Sequence, residues 1–209
     1  MRASPSRLLS WSLSLTLLAA VPQLRAATES YAIDPVHTRV GFQVSHAGFS
    51  NPLGSFSGSH GALRFDEADW STASVDVVVP VATLDLGDAD WNKKILDATF
   101  FNVKKFPDAH FVSTRVEKTG DRTARITGAL TLLGQTHPVV LDATFNALKR
   151  HPLTLRRTIG FSATATLSRA AFGMDAWKTL VGDEVRLIIE VEATRQHGDA
   201  KEPANADPQ

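Results

Sequence analysis

Tyr31-Ala-Ile-Asp-Pro-Val-His-Thr-Arg-Val-Gly-Phe-Gln-Val-Ser-His46 is the stretch from which the fold can be read. Val36, Val40, Phe42 and Val44 share one face and His37, Arg39, Gln43 and Ser45 the other, the period of two that a strand half in oil and half in water requires. The apolar face ends in His46. Downstream, Val75, Val77, Val79 and Val81 alternate in the same way, as do Ala124, Ile126, Gly128, Leu130 and Leu132. The pattern returns at Val139, Leu141, Ala143 and Phe145, at Ile159 to Leu167, and at Val185 to Ala193. With the segments from Gly54 to Phe65 and from His110 to Val116, this predicts about eight strands, each apolar on one face.

Strands of this kind can form a sandwich or close into a barrel. The chain has no Cys, and Trp70, Trp91 and Trp177 fall near turns, so the core Trp and Cys pair of an immunoglobulin-type sandwich are missing. Closure removes exposed edges and leaves room for one slender ligand, so the expected fold is all-β, an antiparallel eight-stranded barrel. Between Asp88 and Phe101 the rhythm changes: Trp91, Ile95 and Thr99 recur at helical spacing behind a capping Asp88, which predicts one short inserted helix.

Ahead of the strands, Arg2 and Arg7 precede an apolar run from Leu8 to Val21, and Leu24-Arg25-Ala26 offers a peptidase site. Residues 1–26 therefore read as a secretory signal cut near Ala26, residues 27–196 as the barrel domain, and the Pro- and Asp-rich residues 197–209 as a disordered tail. The expected location is periplasmic or secreted. Removing Arg2, Arg7 and Arg25, and no acid, from 22 basic and 22 acidic residues leaves 19 basic, a mildly acidic protein with no field for nucleic acid.

Motifs for common chemistry are missing: there is no nucleophile elbow, phosphate loop, dinucleotide fingerprint or His-Glu-x-x-His. His37, His46 and His60 could meet across strands as metal ligands, but no spacing supports it, and neither metal nor catalysis is expected. The 11 Phe residues against one Tyr are more telling. Periodicity alone does not separate a Phe-rich filled core from a Phe-lined cavity. Small residues at Gly58, Ala62, Gly128, Ala143, Ala163 and Ala165 suggest space inside.

Tyr31-x-Ile33-Asp34-x-x-His37-Thr38, Gly54-x-Phe56-x-Gly58, Leu63-x-Phe65-Asp66, Phe100-Phe101-Asn102-Val103 and Phe106-Pro107 resemble, in order, the bacterial YceI family. So do Gly128-x-Leu130-Thr131-Leu132-x-Gly134-x-Thr136, Ser168-Arg169-x-x-Phe172-Gly173-Met174 and Val181-Gly182-Asp183-Glu184-Val185. The resemblance implies a lipocalin-like barrel, exported to the periplasm, that holds a polyisoprenoid or similar long-chain amphiphile such as a quinone tail or polyprenyl phosphate. The implied contact set is Val40, Phe42, Val44, His46, Phe56, Phe100, Phe101, Phe111, Leu130, Leu132, Phe145, Phe161 and Trp177. No cofactor is expected beyond such a bound isoprenoid lipid.

Asp90-Trp91-Asn92-Lys93-Lys94-Ile95-Leu96 stands where the family commonly has Arg-Asp-x-His-Leu, so the head group read here could differ; Lys93 and Lys94 could face an anionic one, although two lysines on a short helix are more often merely solvated. Lys149, Arg150, His151, Arg156 and Arg157 flank a Pro-containing turn and could touch a membrane surface transiently, although a solvated turn is the simpler account of them. An exposed edge would let two barrels pair as a homodimer. Two alternatives to a carrier are a scavenger of hydrophobic toxins under stress and a lipid hydrolase or isomerase using His46 or His60 with Asp34 or Asp66.

Overall fold

The computed structural model describes residues 28–196, so the expected signal segment and tail lie outside the described residues. Ten strands follow one another: β1 (Glu29–Ile33), β2 (Arg39–His46), β3 (Leu53–Phe56), β4 (His60–Phe65), β5 (Ser74–Pro80), β6 (Asp108–Lys118), β7 (Thr123–Leu132), β8 (Gln135–Arg150), β9 (Arg157–Ser168) and β10 (Val181–Arg195). One helix, α1 (Ala89–Leu96), lies between β5 and β6.

All pairings are antiparallel, in the order β1-β4-β5-β6-β7-β8-β9-β10, and β10 returns to β1 through Ile33 opposite Ala193. Strand β10 also pairs with β2, and β2 with β3. Thus β1 and β2 are two halves of one stave along β10, β3 and β4 share the next position, and the ten strands make a closed eight-strand barrel.

Tyr31 to His46 is therefore not one strand. Asp34 Oδ1 accepts from the backbone N–H groups of Val36 and His37 at 2.8 and 3.1 Å, which breaks the stave in an Asp-Pro turn. The break flips the inward parity: Tyr31 and Ile33 are buried from β1, Val40 and Phe42 face inward from β2, and Val36 is 65% exposed in the turn.

At one end of the barrel, Tyr31, Ile33, Leu63, Phe65, Trp70, Ala124, Phe145, Ile159 and Ala193 pack together. Trp70 opens a short 3-10 turn capped by Asp69 and donates Nε1–H to Glu67 O at 3.1 Å, so its ring plugs this end at 5% exposure. Glu29, held by Arg157 and Arg195, takes the Tyr31 hydroxyl at 2.7 Å. Burial, followed by that carboxylate, pushes the Tyr31 phenol up to about 12.

At the other end Asp88 caps α1 by accepting from Trp91 N–H at 2.8 Å. The helix stops at Leu96, shorter than the Asp88 to Phe101 spacing suggests, because Phe101 N–H returns to Ile95 O and Phe100 N–H to Asp97 O in tight turns. Thr99 lies outside it.

Candidate binding site: the barrel interior

One cavity of about 330 Å³ reaches from Trp70 and Phe145 at the plugged end to Trp91 and Trp177 at the other. Trp91 and Trp177, 37% and 44% exposed, and the exposed His46 rim its mouth, whereas Trp70 and Phe65 at the far end are buried. Val40, Phe42, Val44, His46, Phe56, Phe100, Phe101, Phe111, Leu130, Leu132, Phe145, Phe161 and Trp177 all fall on its wall, brought together from eight segments of chain. The alternation read from β5, β7, β8, β9 and β10 sends Val75, Ile126, Leu141, Ala163 and Leu187 inward to complete it.

The wall owes its hollow to fewer small residues than the sequence suggests. Gly128 is filled by the Phe111 ring, which a Cβ there would strike. Gly58 sits in a turn at φ +70, Ala62 is off the wall, and Ala165 is packed with Phe172. Ala143 and Ala163, two of the expected positions, do line the cavity, and Ala124 joins them: Ala124 on β7 pairs with Ala143 on β8, which pairs with Ala163 on β9, an alanine belt along the wall.

The rim is a set of ring contacts. His46 meets Trp91 edge-on at 6.2 Å, Trp177 meets Phe100 edge-on at 5.5 Å, and Lys94 Nζ stands 4.4 Å over the Trp177 ring. Through Lys94, α1 thus reaches the loop before β10.

Arg169 brings a formal charge to this wall and is 6% exposed. Its Nε, Nη1 and Nη2 donate to the carbonyls of Gly182, Met174 and Val181 at 2.8, 2.6 and 2.8 Å, tying the loop that carries Trp177 to the start of β10. Asp183 beside it accepts from Ser168 Oγ and Ala170 N–H, and these bonds hold its carboxyl below the ordinary value. The Ser-Arg-x-x-Phe-Gly-Met spelling marks Arg169, but its inward side chain is not legible from β alternation because it follows the end of β9. Trp70 and Met174, also on the wall, lie in turns, and their inward aim was not legible for the same reason.

The histidines do not assemble. His37 Nδ1 bonds Asp34 Oδ2 at 2.9 Å on the outer surface, His60 Nδ1 lies 3.2 Å from Gly58 O, and His46 is at the rim. Asp34, His37 and Glu192 do bring one ligand atom each within 4.8 Å of one another, and within that group Asp34 and His37 are hydrogen-bonded to each other. Burial works against the Asp34 carboxylate, but the His37 ring and two backbone N–H bonds outweigh it and hold its pKa below the ordinary value; Asp34 in turn raises His37. The acid–base pairings of His46 or His60 with Asp34 or Asp66 are not made: Asp34 serves His37, and Asp66 accepts from Ala68 N–H.

A family model described as YceI-like domain matches residues 31–193. A "UPF0312 protein" of Pseudomonas putida is 37% identical over 181 residues, covering 87% of this chain and 93% of its own. The crystal structure of BcnA from Burkholderia cenocepacia superposes with a TM-score of 0.70 at 25% identity, covering 78% of this chain and 99% of that one. A polyisoprenoid binding domain from Saccharophagus degradans, implicated in plant cell wall breakdown, shares the fold with a TM-score of 0.62 at 12% identity over 80% of this chain and 99% of its own. With the family pattern running through nearly the whole barrel and a relative this similar along its length, the chain belongs to the YceI family.

Proposed function

We propose that this protein is a periplasmic carrier that holds a polyisoprenoid or similar long-chain amphiphile inside its barrel. The observation that carries the reading is the wall itself: a continuous tube of aliphatic and aromatic side chains, plugged at Trp70 and open at Trp91 and Trp177. Each methylene taken out of water contributes about 0.8 kcal/mol, so a few isoprene units inside offset the cost of ordering the chain. The name of the Saccharophagus degradans neighbour supports the same ligand class.

In this reading the alkyl or prenyl tail lies over the alanine belt and the polar head rests at the rim beside His46, Lys94 and Trp177. A quinone or a prenyl phosphate head would meet a cation there, since Lys94 is exposed. The basic, apolar leader over residues 1–26 supports export. Among the described residues the wall carries no paired acid and base, which favours holding over turnover.

Native mass spectrometry of protein purified from its own host tests this. A co-purifying long-chain lipid, released by organic solvent and unchanged by long incubation, is the expected result. No such lipid, together with no uptake of fluorescent polyprenyl probes, refutes it. A scavenger would instead take up unrelated apolar probes equally well, where a dedicated carrier prefers one chain length.

A further inference from the structure

The β8–β9 hairpin is the part of the barrel whose surface chemistry the interior does not explain. β7 pairs with β8 only as far as Thr144, and beyond the bulge at Asn146 strand β8 continues beside β9 to Arg150 opposite Arg157. The tip thus overhangs the plugged end. Leu153 and Leu155 stand at it, 87% and 64% exposed, and every residue from Pro152 to Arg157 is exposed.

The tip has a fixed shape. His151 Nδ1 accepts from the N–H groups of Leu153 and Thr154 at 3.2 and 3.3 Å, Leu155 N–H bonds His151 O at 2.8 Å, and Leu155 holds a left-handed φ of 57. Arg150 Nη1 donates to Leu155 O at 3.2 Å.

Its charge is of one sign. Lys149, Arg150, Arg156 and Arg157 flank the leucines, and the sequence holds no Asp or Glu between Asp142 and Asp175. Arg157 is engaged by Glu29, and Glu190 and Glu192 on β10 line the shallow groove at the hairpin's base, where Glu190 takes the Ser162 hydroxyl. Among the described residues, Lys149, Arg150 and Arg156 have no ion-pair partner.

We propose that this hairpin tip docks on an anionic lipid surface, with Leu153 and Leu155 entering the head-group layer and Lys149, Arg150 and Arg156 meeting lipid phosphates. Two apolar side chains at the apex of a cationic loop match a layered partner, oily inside and anionic at its surface. A soluble polyanion would satisfy the cations and leave both leucines in water. Docking at the plugged end keeps the mouth away from the bilayer, so it tethers the barrel without closing it. The inference does not depend on what the barrel holds.

Co-sedimentation of the mature protein with vesicles tests it, using phosphatidylcholine alone and phosphatidylcholine with about a third phosphatidylglycerol. Binding to the anionic vesicles that weakens with salt is expected. Each cation at such a surface accounts for about a fivefold effect, so the variant K149E/R150E/R156E should bind at least about a hundredfold more weakly. Leu153→Ser with Leu155→Ser, which keeps every charge, should bind at least about tenfold more weakly. All these positions are exposed, and unchanged thermal unfolding would show that the variants fold.

No binding to anionic vesicles overturns the proposal. So does binding that the leucine pair does not affect, accompanied by equal retention on a soluble polyanion such as heparin, which would identify an acidic macromolecule as the partner. Uptake of a polyprenyl probe, measured on the same variants, should be unchanged; its loss from wild type would count against the carrier reading alone.

Discussion

Ala163→Phe is the sharpest test of whether the interior holds a chain. Ala163 is on β9 with its side chain on the cavity wall, paired across the sheet with Ala143 on one side and Ile189 on the other. Cross-strand neighbours stand about 5 Å apart at Cβ, so a phenyl ring at this position lies over Ala143 and enters the open space of the alanine belt. It displaces about one isoprene unit, about five carbons at about 0.8 kcal/mol each. The expected loss is about 4 kcal/mol, or about a thousandfold in the Kd of a polyprenyl probe followed by fluorescence titration. The fold should lose about 1–3 kcal/mol, about 2–12 °C in Tm for a domain of this size, which leaves it folded for the titration. A folded Ala163→Phe protein that binds the probe as wild type does would refute an interior seat for the ligand. Ala143→Phe, from the neighbouring stave, should behave alike; an effect at one alanine and none at the other would contradict a single tube passing over both.

Other consequences are more local. Gly54→Ala drives a Cβ into the edge of the Phe42 ring at Cζ and Cε1 and to 2.7 Å from Leu86 Cδ2, and should cost about 1–3 kcal/mol in urea unfolding. Arg169→Met keeps volume but strands the carbonyls of Gly182, Met174 and Val181; a loss of about 2–4 kcal/mol is expected, with the Trp177 emission shifted as its loop loosens. The Asp34–His37 pair should make stability depend on pH. Asp34, lowered on folding, contributes above its unfolded value and ceases to do so as pH falls through its folded pKa. His37, raised on folding, contributes below its unfolded value and ceases to do so as pH rises through its folded pKa. The Tm difference between wild type and His37→Ala should therefore be greatest between the ordinary values of 3.8 and 6.5 and shrink on either side; a difference that grows above neutral pH would contradict the pairing.

The barrel was legible because period two survives wherever a stave is unbroken. In β5, β7, β8, β9 and β10 most residues spaced by two that read as one face line one cavity, while Ile159 and Ala193 pack in the plugged end and Ala165 packs against Phe172. Reading failed where the backbone left that period. The Asp34-Pro35 turn reverses parity between β1 and β2, so an unbroken alternation from Tyr31 to His46 put Val36 on the wrong side. Trp70, Arg169 and Met174 reach the interior from turns, where no spacing rule aims a side chain.

Whether the barrel is hollow was not legible, for a different reason. Alternation fixes which residues face in, and the volume left over depends on what stands opposite each of them. Phe42 pairs directly with Gly54, and Phe111 lies against Gly128, so at both places an aromatic ring occupies the room that a glycine leaves. Ala143 pairs with Ala124 on one side and Ala163 on the other, so three small side chains stand side by side on the cavity wall. A small residue therefore leaves room on the wall when its cross-strand neighbours are also small, and is filled when an aromatic ring of the adjacent strand lies against it. That comparison needs register, which the hydrogen-bond ladder supplies and the sequence of any single strand does not.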